Sequence, residues 1–144
     1  MMKQLLYEPM QKIDHVLFVD DDEITNYLNV RLVQKLKIAN EIKVATNGLE
    51  ALDLIKRNRK EGENCPNLIF LDLNMPLMDG FQFLETFSQL EDCIITPRIV
   101  VVTTSTNNKD LDRLQHYSFI SGYINKPMTT EKLQRVLDEV YSDK

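Results

Sequence analysis

The chain has 144 residues, a formal net charge of −5 and a hydrophobic fraction of 43%. These values suit one globular domain with an apolar core, and they disfavour a nucleic-acid platform, which needs a strongly basic surface. No apolar run approaches the roughly 20 residues that a membrane-spanning helix needs, and no secretory signal opens the chain. We therefore expect a cytoplasmic protein that binds neither nucleic acid nor membrane, with Cys65 and Cys93 as free thiols.

In chain order, short apolar runs alternate with apolar residues spaced three or four positions apart. The runs are typical of strands buried on both faces of a parallel sheet, and the spaced residues are typical of amphipathic helices. The five predicted strands are Val16–Val19, Ile42–Ala45, Leu68–Leu71, Ile99–Val102 and Gly122–Ile124. A helix is predicted after each strand. Residues 1–13 are predicted to form a leader, either flexible or a short extra helix, and residues 14–144 the folded domain.

The first and last helices have the most regular apolar stripes. The stripe of the first helix consists of Ile24, Tyr27, Leu28, Leu32 and Leu36. The stripe of the last helix consists of Leu133, Val136, Leu137, Val140 and Tyr141. Such spacing marks one face of a helix, the pattern of an apolar stripe that faces a core. Either Thr129 or Thr130 is predicted to cap the last helix.

Polar side chains collect at the carboxyl ends of the predicted strands. Alternating strands and helices require right-handed crossovers, which place helices on both faces of the sheet and ligand chemistry at the carboxyl ends of the strands. The residues predicted to meet there are Asp20, Asp21, Asp22, Asp72, Thr103 and Lys126. Carboxylate oxygens suit a hard cation such as Mg²⁺. An aspartate beside a cation and a lysine is a candidate nucleophile for phosphorus, and a threonine hydroxyl can donate to a phosphoryl oxygen.

Each of these residues also has an ordinary structural explanation when it is taken alone. An aspartate after a strand is usually a turn former or a helix cap, and a lysine before a proline is usually a solvated surface residue. Their shared location at one edge of one predicted sheet favours the functional interpretation.

Four segments carry a resemblance to a known family: Val16–Asp22, Leu71–Gly80, Val102–Ser105 and Gly122–Pro127. In these segments the chain resembles the receiver domains of bacterial two-component response regulators, in particular the stand-alone, chemotaxis-regulator-like members. The stretch Asp-x-Asn-Met-Pro-x-Met-Asp-Gly is highly specific. The resemblance implies an α/β, flavodoxin-like fold, with a doubly wound five-stranded parallel sheet in the strand order 2-1-3-4-5 and five helices.

The resemblance also implies a role for each site residue. Asp72 would accept a phosphoryl group, while Thr103 and Lys126 would contact that group and assist the transfer. The Mg²⁺ ligands would be Asp20, Asp21, Asp72 and the backbone carbonyl of Asn74. Thr103 and Tyr123 would act as switch residues, and the bond between Lys126 and Pro127 would be cis.

The chain departs from the family pattern at three places. Asp21 is expected to bind the ion directly and Asp20 mainly through water, but Asp22 makes three acids in a row, so the pair could be shifted by one residue. The segment Arg57–Pro66 is longer and more charged than in the shortest members, and we expect an extended helix or loop there. Thr104 stands where the family has alanine or serine, and its larger side chain could crowd the phosphoryl site.

The resemblance finally implies the partners. A sensor histidine kinase would supply the phosphoryl group, and the signal would pass to a downstream protein target or a histidine phosphotransfer protein, without a DNA-binding output domain. The protein would be a monomer or a weak phosphorylation-dependent dimer. It would not be a conventional enzyme, although it would catalyse its own phosphoryl transfer and slow dephosphorylation. Two alternatives are a dehalogenase-type phosphatase, which needs an aspartate where Asn74 stands, and an interaction module without phosphorylation.

Overall fold

The computed structural model describes residues 12–60, 65–90, 97–104 and 107–142. Five strands form one parallel sheet: β1 Ile13–Val19, β2 Ala39–Ala45, β3 Leu68–Leu71, β4 Arg98–Thr103 and β5 Ile120–Asn125. The helices of the described residues are α1 Glu23–Leu36, α2 Gly48–Lys60, α3 Gly80–Phe87, α4 Asn108–Leu114 and α5 Thr130–Val140. The strand order is β2-β1-β3-β4-β5, with every neighbouring pair parallel. The predicted fold class, strand order and five helices are confirmed.

The core has two layers, one on each face of the sheet. Successive residues of a strand point to opposite faces, so Ile69 and Leu71 of β3 join one buried cluster while Leu68 and Phe70 join the other. Helices α2, α3 and α4 contribute to the first cluster, and helices α1 and α5 contribute to the second. This two-sided burial explains why the central strands are apolar at every position.

The buried face of α1 agrees with the predicted stripe at Leu32 and Leu36, which pack against the second core cluster, and differs from it in the first turns. Ile24 is 69% exposed and Leu28 is 58% exposed, and Tyr27 lies at the surface beside them. The residues of α1 that are buried are Asn26, Asn29 and Val33. The first turn is fixed locally, because Asp22 caps the helix and the Asn26 side chain bonds back to the end of β1. These two polar contacts turn part of the apolar stripe toward solvent.

Side-chain caps begin the helices that flank the candidate site. Asp22 accepts a hydrogen bond from the backbone N–H of Thr25 at the start of α1. Asp79 caps α3 in a capping box with Gln82, where each side chain accepts from the backbone of the other residue. Thr129, rather than Thr130, caps α5. The loops at the carboxyl ends of the strands are thereby held close to the helices that follow them.

Other expectations have mixed outcomes. Helix α2 continues to Lys60, which agrees with an extended helix after Arg57, whereas residues 61–64 and the leader residues 1–11 lie outside the described residues. The expectation of free thiols is wrong for Cys65, which is disulfide-bonded, and Cys93 lies outside the described residues. Among the described helices, none is long and apolar enough to cross a membrane.

Candidate functional site

The register of the sheet brings the polar strand ends together. Val19 of β1 is paired with Leu71 of β3, and the backbone N–H of Asp72 donates to the Val19 carbonyl at 2.9 Å. Asp20 and Asp72 therefore leave adjacent strands at the same height, about 4.8 Å apart in the direction of the hydrogen bonds. Two residues alone could not fix this geometry; the pairing of both strands does.

The acidic part of the site consists of Asp20, Asp21 and Asp72. One carboxylate oxygen from each of the three lies within 4.8 Å of the other two. Asp20 and Asp72 are buried, whereas Asp21 is exposed. Asp22 is excluded from this cluster because its carboxylate caps α1. The cluster therefore contains the first two of the three consecutive acids, Asp20 and Asp21, while the third caps α1.

Lys126 supplies the positive charge of the site. Its Nζ lies 2.7 Å from Oδ2 of Asp20 and 3.5 Å from Oδ1 of Asp72. Lys126 directly follows β5, whose last residue Asn125 is paired with Thr103, and the Lys126 N–H donates to the Thr103 carbonyl at 3.0 Å. The following peptide bond to Pro127 is cis, as predicted.

These contacts shift the protonation of the site. Burial and, to a smaller extent, the nearby Asp20 carboxylate raise the pKa of the Asp72 carboxyl to about 6, against the opposing charge of Lys126. Burial lowers the pKa of Lys126, but its hydrogen bond to Asp20 and the charge of Asp72 outweigh burial, so the net pKa of Lys126 is raised. One lysine therefore offsets only part of the negative charge of three carboxylates.

The donor set fits a hard divalent cation. Three carboxylates within reach of one point are the oxygen ligands that Mg²⁺ and Mn²⁺ accept in proteins. The pKa of Asp72 is raised first by burial and second by the Asp20 carboxylate, and a bound cation would offset both effects by stabilising the ionised carboxylate. Asn74 is exposed in the loop that follows β3, two residues beyond Asp72.

The loop after β3 is held against the site by close backbone contacts. A Cβ atom on Gly80 would lie 2.6 Å from the Asp72 carbonyl oxygen, so only glycine lets α3 begin so near the candidate acceptor. The Gly48 N–H donates to the Met78 carbonyl at 3.0 Å, which joins the start of α2 to the same loop. Leu77, between these contacts, has a positive φ of 67°.

The remaining predicted residues take different positions. Thr103 is buried at the end of β4, while the Tyr123 side chain on β5 is about half exposed. Thr104 is exposed, so its side chain has space at the surface and need not crowd the phosphoryl site. Ser105, the last residue of the matching segment Val102–Ser105, lies outside the described residues.

Comparison with known proteins identifies the family. The family model described as the response regulator receiver domain matches residues 16–138. The chain belongs to this family. A crystal structure of a two-component response regulator from Cytophaga hutchinsonii superposes on the receiver domain with a TM-score of 0.81 at 26% identity, covering 92% of this chain and 100% of that one.

Two further relatives illustrate the range of the family. The receiver domain is 30% identical over 125 residues to the probable methanogenesis regulatory protein FilR2 of Methanothrix harundinacea (strain 6Ac), covering 87% of this chain and 79% of FilR2. The Mn(2+)-bound form of the response regulator Rcp1 matches with a TM-score of 0.71 at 27% identity, covering 90% of this chain and 94% of that structure. By contrast, the chain spans only 7% of the hybrid signal transduction histidine kinase L of Dictyostelium discoideum.

One residue of the receiver site was missed by sequence reasoning. The Asn26 side chain donates from Nδ2 to the backbone carbonyl of Asp20 at 2.7 Å, and it is buried. The only hint in the sequence was the spacing of Asn26 and Asn29, which lie three positions apart and therefore on one face of α1, away from its apolar stripe. That signal has no meaning until the buried face of α1 is known.

Proposed function

We propose that this receiver domain is a phosphorylation switch in which Asp72 accepts a phosphoryl group from the phosphohistidine of a sensor histidine kinase. The observation that carries the proposal is the convergence of Asp20, Asp21, Asp72 and Lys126 at the carboxyl edge of the sheet, with Lys126 bridging two of the carboxylates. Three carboxylates and one ammonium suit a site that receives a cation and a phosphoryl group.

The proposed transfer is a nucleophilic substitution at phosphorus. A carboxylate oxygen of Asp72 forms a bond to phosphorus, the bond between phosphorus and the imidazole nitrogen of the donor breaks, and that nitrogen keeps the electron pair. Lys126, 3.5 Å from Asp72, is close enough to interact with the phosphoryl oxygens after transfer. Thr103, the last residue of β4, would donate a hydrogen bond from its hydroxyl to another phosphoryl oxygen.

The cation site belongs to the same proposal. Asp20, Asp21 and Asp72 would hold Mg²⁺ together with the carbonyl of Asn74, with Asp21 binding directly and Asp20 mainly through water. When bound, Mg²⁺ would supply positive charge that stabilises the phosphoryl oxygens during transfer. The proposed water-mediated role of Asp20 is supported by its contact with Lys126, because Lys126 already donates to one of the two Asp20 carboxylate oxygens.

The switch would be read at the face formed by α4, β5 and α5. The phosphorylated Asp72 would draw Thr103 toward it, and Tyr123, which is now about half exposed, would turn inward into the space left behind. Phosphorylation would act by favouring one of two existing conformations, and a nearly complete shift requires a difference of roughly 5 kcal/mol. Charge-assisted hydrogen bonds from Thr103 and Lys126 are of the strength needed.

The wider assignment follows from this site. Residues 14–144 would form the receiver domain and residues 1–13 a leader, acting in the cytoplasm on a protein target or a histidine phosphotransfer protein. The protein would be a monomer or a weak phosphorylation-dependent dimer. Apart from its own phosphorylation and slow dephosphorylation, no enzymatic activity is proposed.

The test is phosphorylation by a small donor. The protein is incubated with acetyl phosphate, with and without Mg²⁺, and its intact mass is measured alongside the variants Asp72→Asn and Asp22→Asn. We expect one phosphoryl adduct that requires Mg²⁺, disappears in Asp72→Asn and remains in Asp22→Asn. The second variant is a matched control, because Asp22 is a neighbouring carboxylate that caps α1, a task that asparagine also performs.

Beryllofluoride binding completes this test. A protein with a short-lived phosphate would show no adduct but would still bind beryllofluoride in the presence of Mg²⁺. Absence of both the adduct and beryllofluoride binding would contradict the switch and favour an interaction module that is not phosphorylated.

A further inference from the structure

We propose that Asn26 is a positioning residue that holds the turn carrying Asp20 and Asp21 in the geometry that the cation site requires. This inference rests on the proposed function, since it concerns the same cation site. Asn26 touches neither the cation nor the phosphoryl group; it acts through the backbone of Asp20.

The geometry of the contact supports this role. The Asn26 side chain is 4% exposed, and its Nδ2 donates to the backbone carbonyl of Asp20 at 2.7 Å. The side chain of Asp20 is fixed separately, because Oδ1 accepts from the N–H of Asp22 at 2.9 Å and Oδ2 accepts from Lys126 at 2.7 Å. The Nδ2 contact of Asn26 therefore ties the main-chain carbonyl of Asp20 to α1.

The chemical type of the residue is unfavourable for packing alone. Asn26 stands on the sheet-facing side of α1, where an apolar side chain would normally lie. In the described residues, its Oδ1 is buried and has no hydrogen-bond partner. A buried acceptor without a partner destabilises the folded state, so only the Nδ2 contact accounts for asparagine at this position.

Cation binding makes the position of this turn critical. Mg²⁺ requires near-octahedral oxygen ligands at short, narrowly defined distances, so a small displacement of Asp20 and Asp21 weakens binding. Residues that orient metal ligands without touching the metal commonly change metal affinity by about tenfold or more when they are removed. Asn26 has that relation to the Asp20–Asp21 pair.

A matched pair of variants tests the proposal. Asn26→Leu removes the Nδ2 donor and places an apolar side chain on the buried face of α1. Asn29→Leu makes the same substitution one turn further along that face. Asn29 is also buried, and among the described residues it makes no hydrogen bond to the acidic pair. Asn26→Ala serves as a second variant, since the smaller side chain fits even where leucine does not.

Two quantities are measured on the full chain: the Kd for Mg²⁺ by isothermal titration calorimetry, and the rate of acetyl phosphate labelling as a function of Mg²⁺ concentration. We expect Asn26→Leu and Asn26→Ala to raise the Kd about tenfold. The labelling rate at saturating Mg²⁺ should change little, because Asp72 and Lys126 are untouched. Asn29→Leu should keep the wild-type Kd.

The other outcomes overturn the inference in distinguishable ways. An unchanged Kd in both Asn26 variants contradicts the positioning role and leaves the proposed function intact. Equal weakening by Asn26→Leu and Asn29→Leu assigns the effect to general packing of α1, which also contradicts it. A wild-type protein that binds no Mg²⁺ removes the proposed cation site, and this inference with it.

Discussion

Asp72 combines burial with unfavourable charge. The carboxyl is enclosed at the end of β3, the Asp20 carboxylate lies beside it, and its pKa is raised to about 6. In the absence of a cation, the folded protein therefore holds a proton on Asp72 more tightly than the unfolded chain does. The same property that prepares the site for a cation makes it a source of instability when no cation is bound.

This imbalance predicts a pH-dependent gain from Asp72→Asn in Mg²⁺-free buffer. The raised pKa means that the contribution of Asp72 to stability is present below about pH 4 and is lost as the pH rises through about 6. The side chain of the Asp72→Asn variant does not ionise. Its free energy of unfolding near neutral pH should therefore be up to about 3 kcal/mol higher than that of the wild type, since each pKa unit corresponds to about 1.4 kcal/mol. Urea unfolding across that pH range measures the difference.

Asp22→Asn provides the contrast. The side-chain hydrogen bond from Thr25 holds the pKa of Asp22 below its usual range, so the sign of its pH dependence is opposite to that of Asp72. A pH-dependent gain of similar size in both variants would mean that general loss of negative charge, rather than burial of Asp72, is responsible.

Leu77 offers a second prediction at the scale of one residue. Its φ of 67° lies in the left-handed region that leucine disfavours, and its side chain is 77% exposed. Leu77→Gly should therefore raise the free energy of unfolding by about 1 kcal/mol, because backbone strain is removed and little packing is lost. Thermal or urea unfolding would measure it, and a loss of stability would show that the exposed side chain contributes packing that outweighs the strain.

At the scale of elements, the sequence predicts where helices and strands occur better than it predicts which face of a helix is buried. β3 occurs at the predicted residues Leu68–Leu71, and the capping residue of α5 is one of the two proposed threonines. These elements are specified locally, by an unbroken apolar run and by a hydroxyl before an amphipathic stripe. The face of α1 is specified by contacts with the end of β1, which lie outside the pattern of the helix itself.

The orientation of α1 leads to a prediction with two paired substitutions. Val33→Ala should destabilise the protein by about 2 kcal/mol, because Val33 is completely buried in the core between α1 and the sheet. Leu28→Ala should change the free energy of unfolding by less than about 0.5 kcal/mol, because Leu28 lies mainly in solvent. Urea unfolding of both variants would test the orientation, and a larger cost at Leu28 than at Val33 would contradict it.

At the scale of the whole molecule, the site is an outcome of the sheet. The grouping of Asp20, Asp72, Thr103 and Lys126 could be predicted, because parallel strands deliver their carboxyl ends to one edge. The choice of Asp21 over Asp22 rests on the family resemblance alone, since three acids in a row look alike until the structure shows that the third caps α1. The part played by Asn26 could not be predicted, because it depends on the rotation of α1.

Because the three carboxylates come from two strands and the lysine from a third, a cation bound there should stabilise the entire sheet. At a Mg²⁺ concentration ten times the Kd, the gain is about 1.4 kcal/mol, which for a domain of this size raises Tm by about 4 °C. Asp21→Asn should abolish most of this rise, because it removes one of the three carboxylates, whereas Asp22→Asn should retain it.

Differential scanning calorimetry at neutral pH measures this shift. The wild type should show a Tm that rises with the logarithm of Mg²⁺ concentration above the Kd, as binding to the folded state alone requires. An equal rise in Asp21→Asn would mean that Mg²⁺ acts by general screening of the acidic chain. No rise in the wild type would mean that Lys126, which already contacts Asp20 and Asp72, balances the carboxylates without a cation.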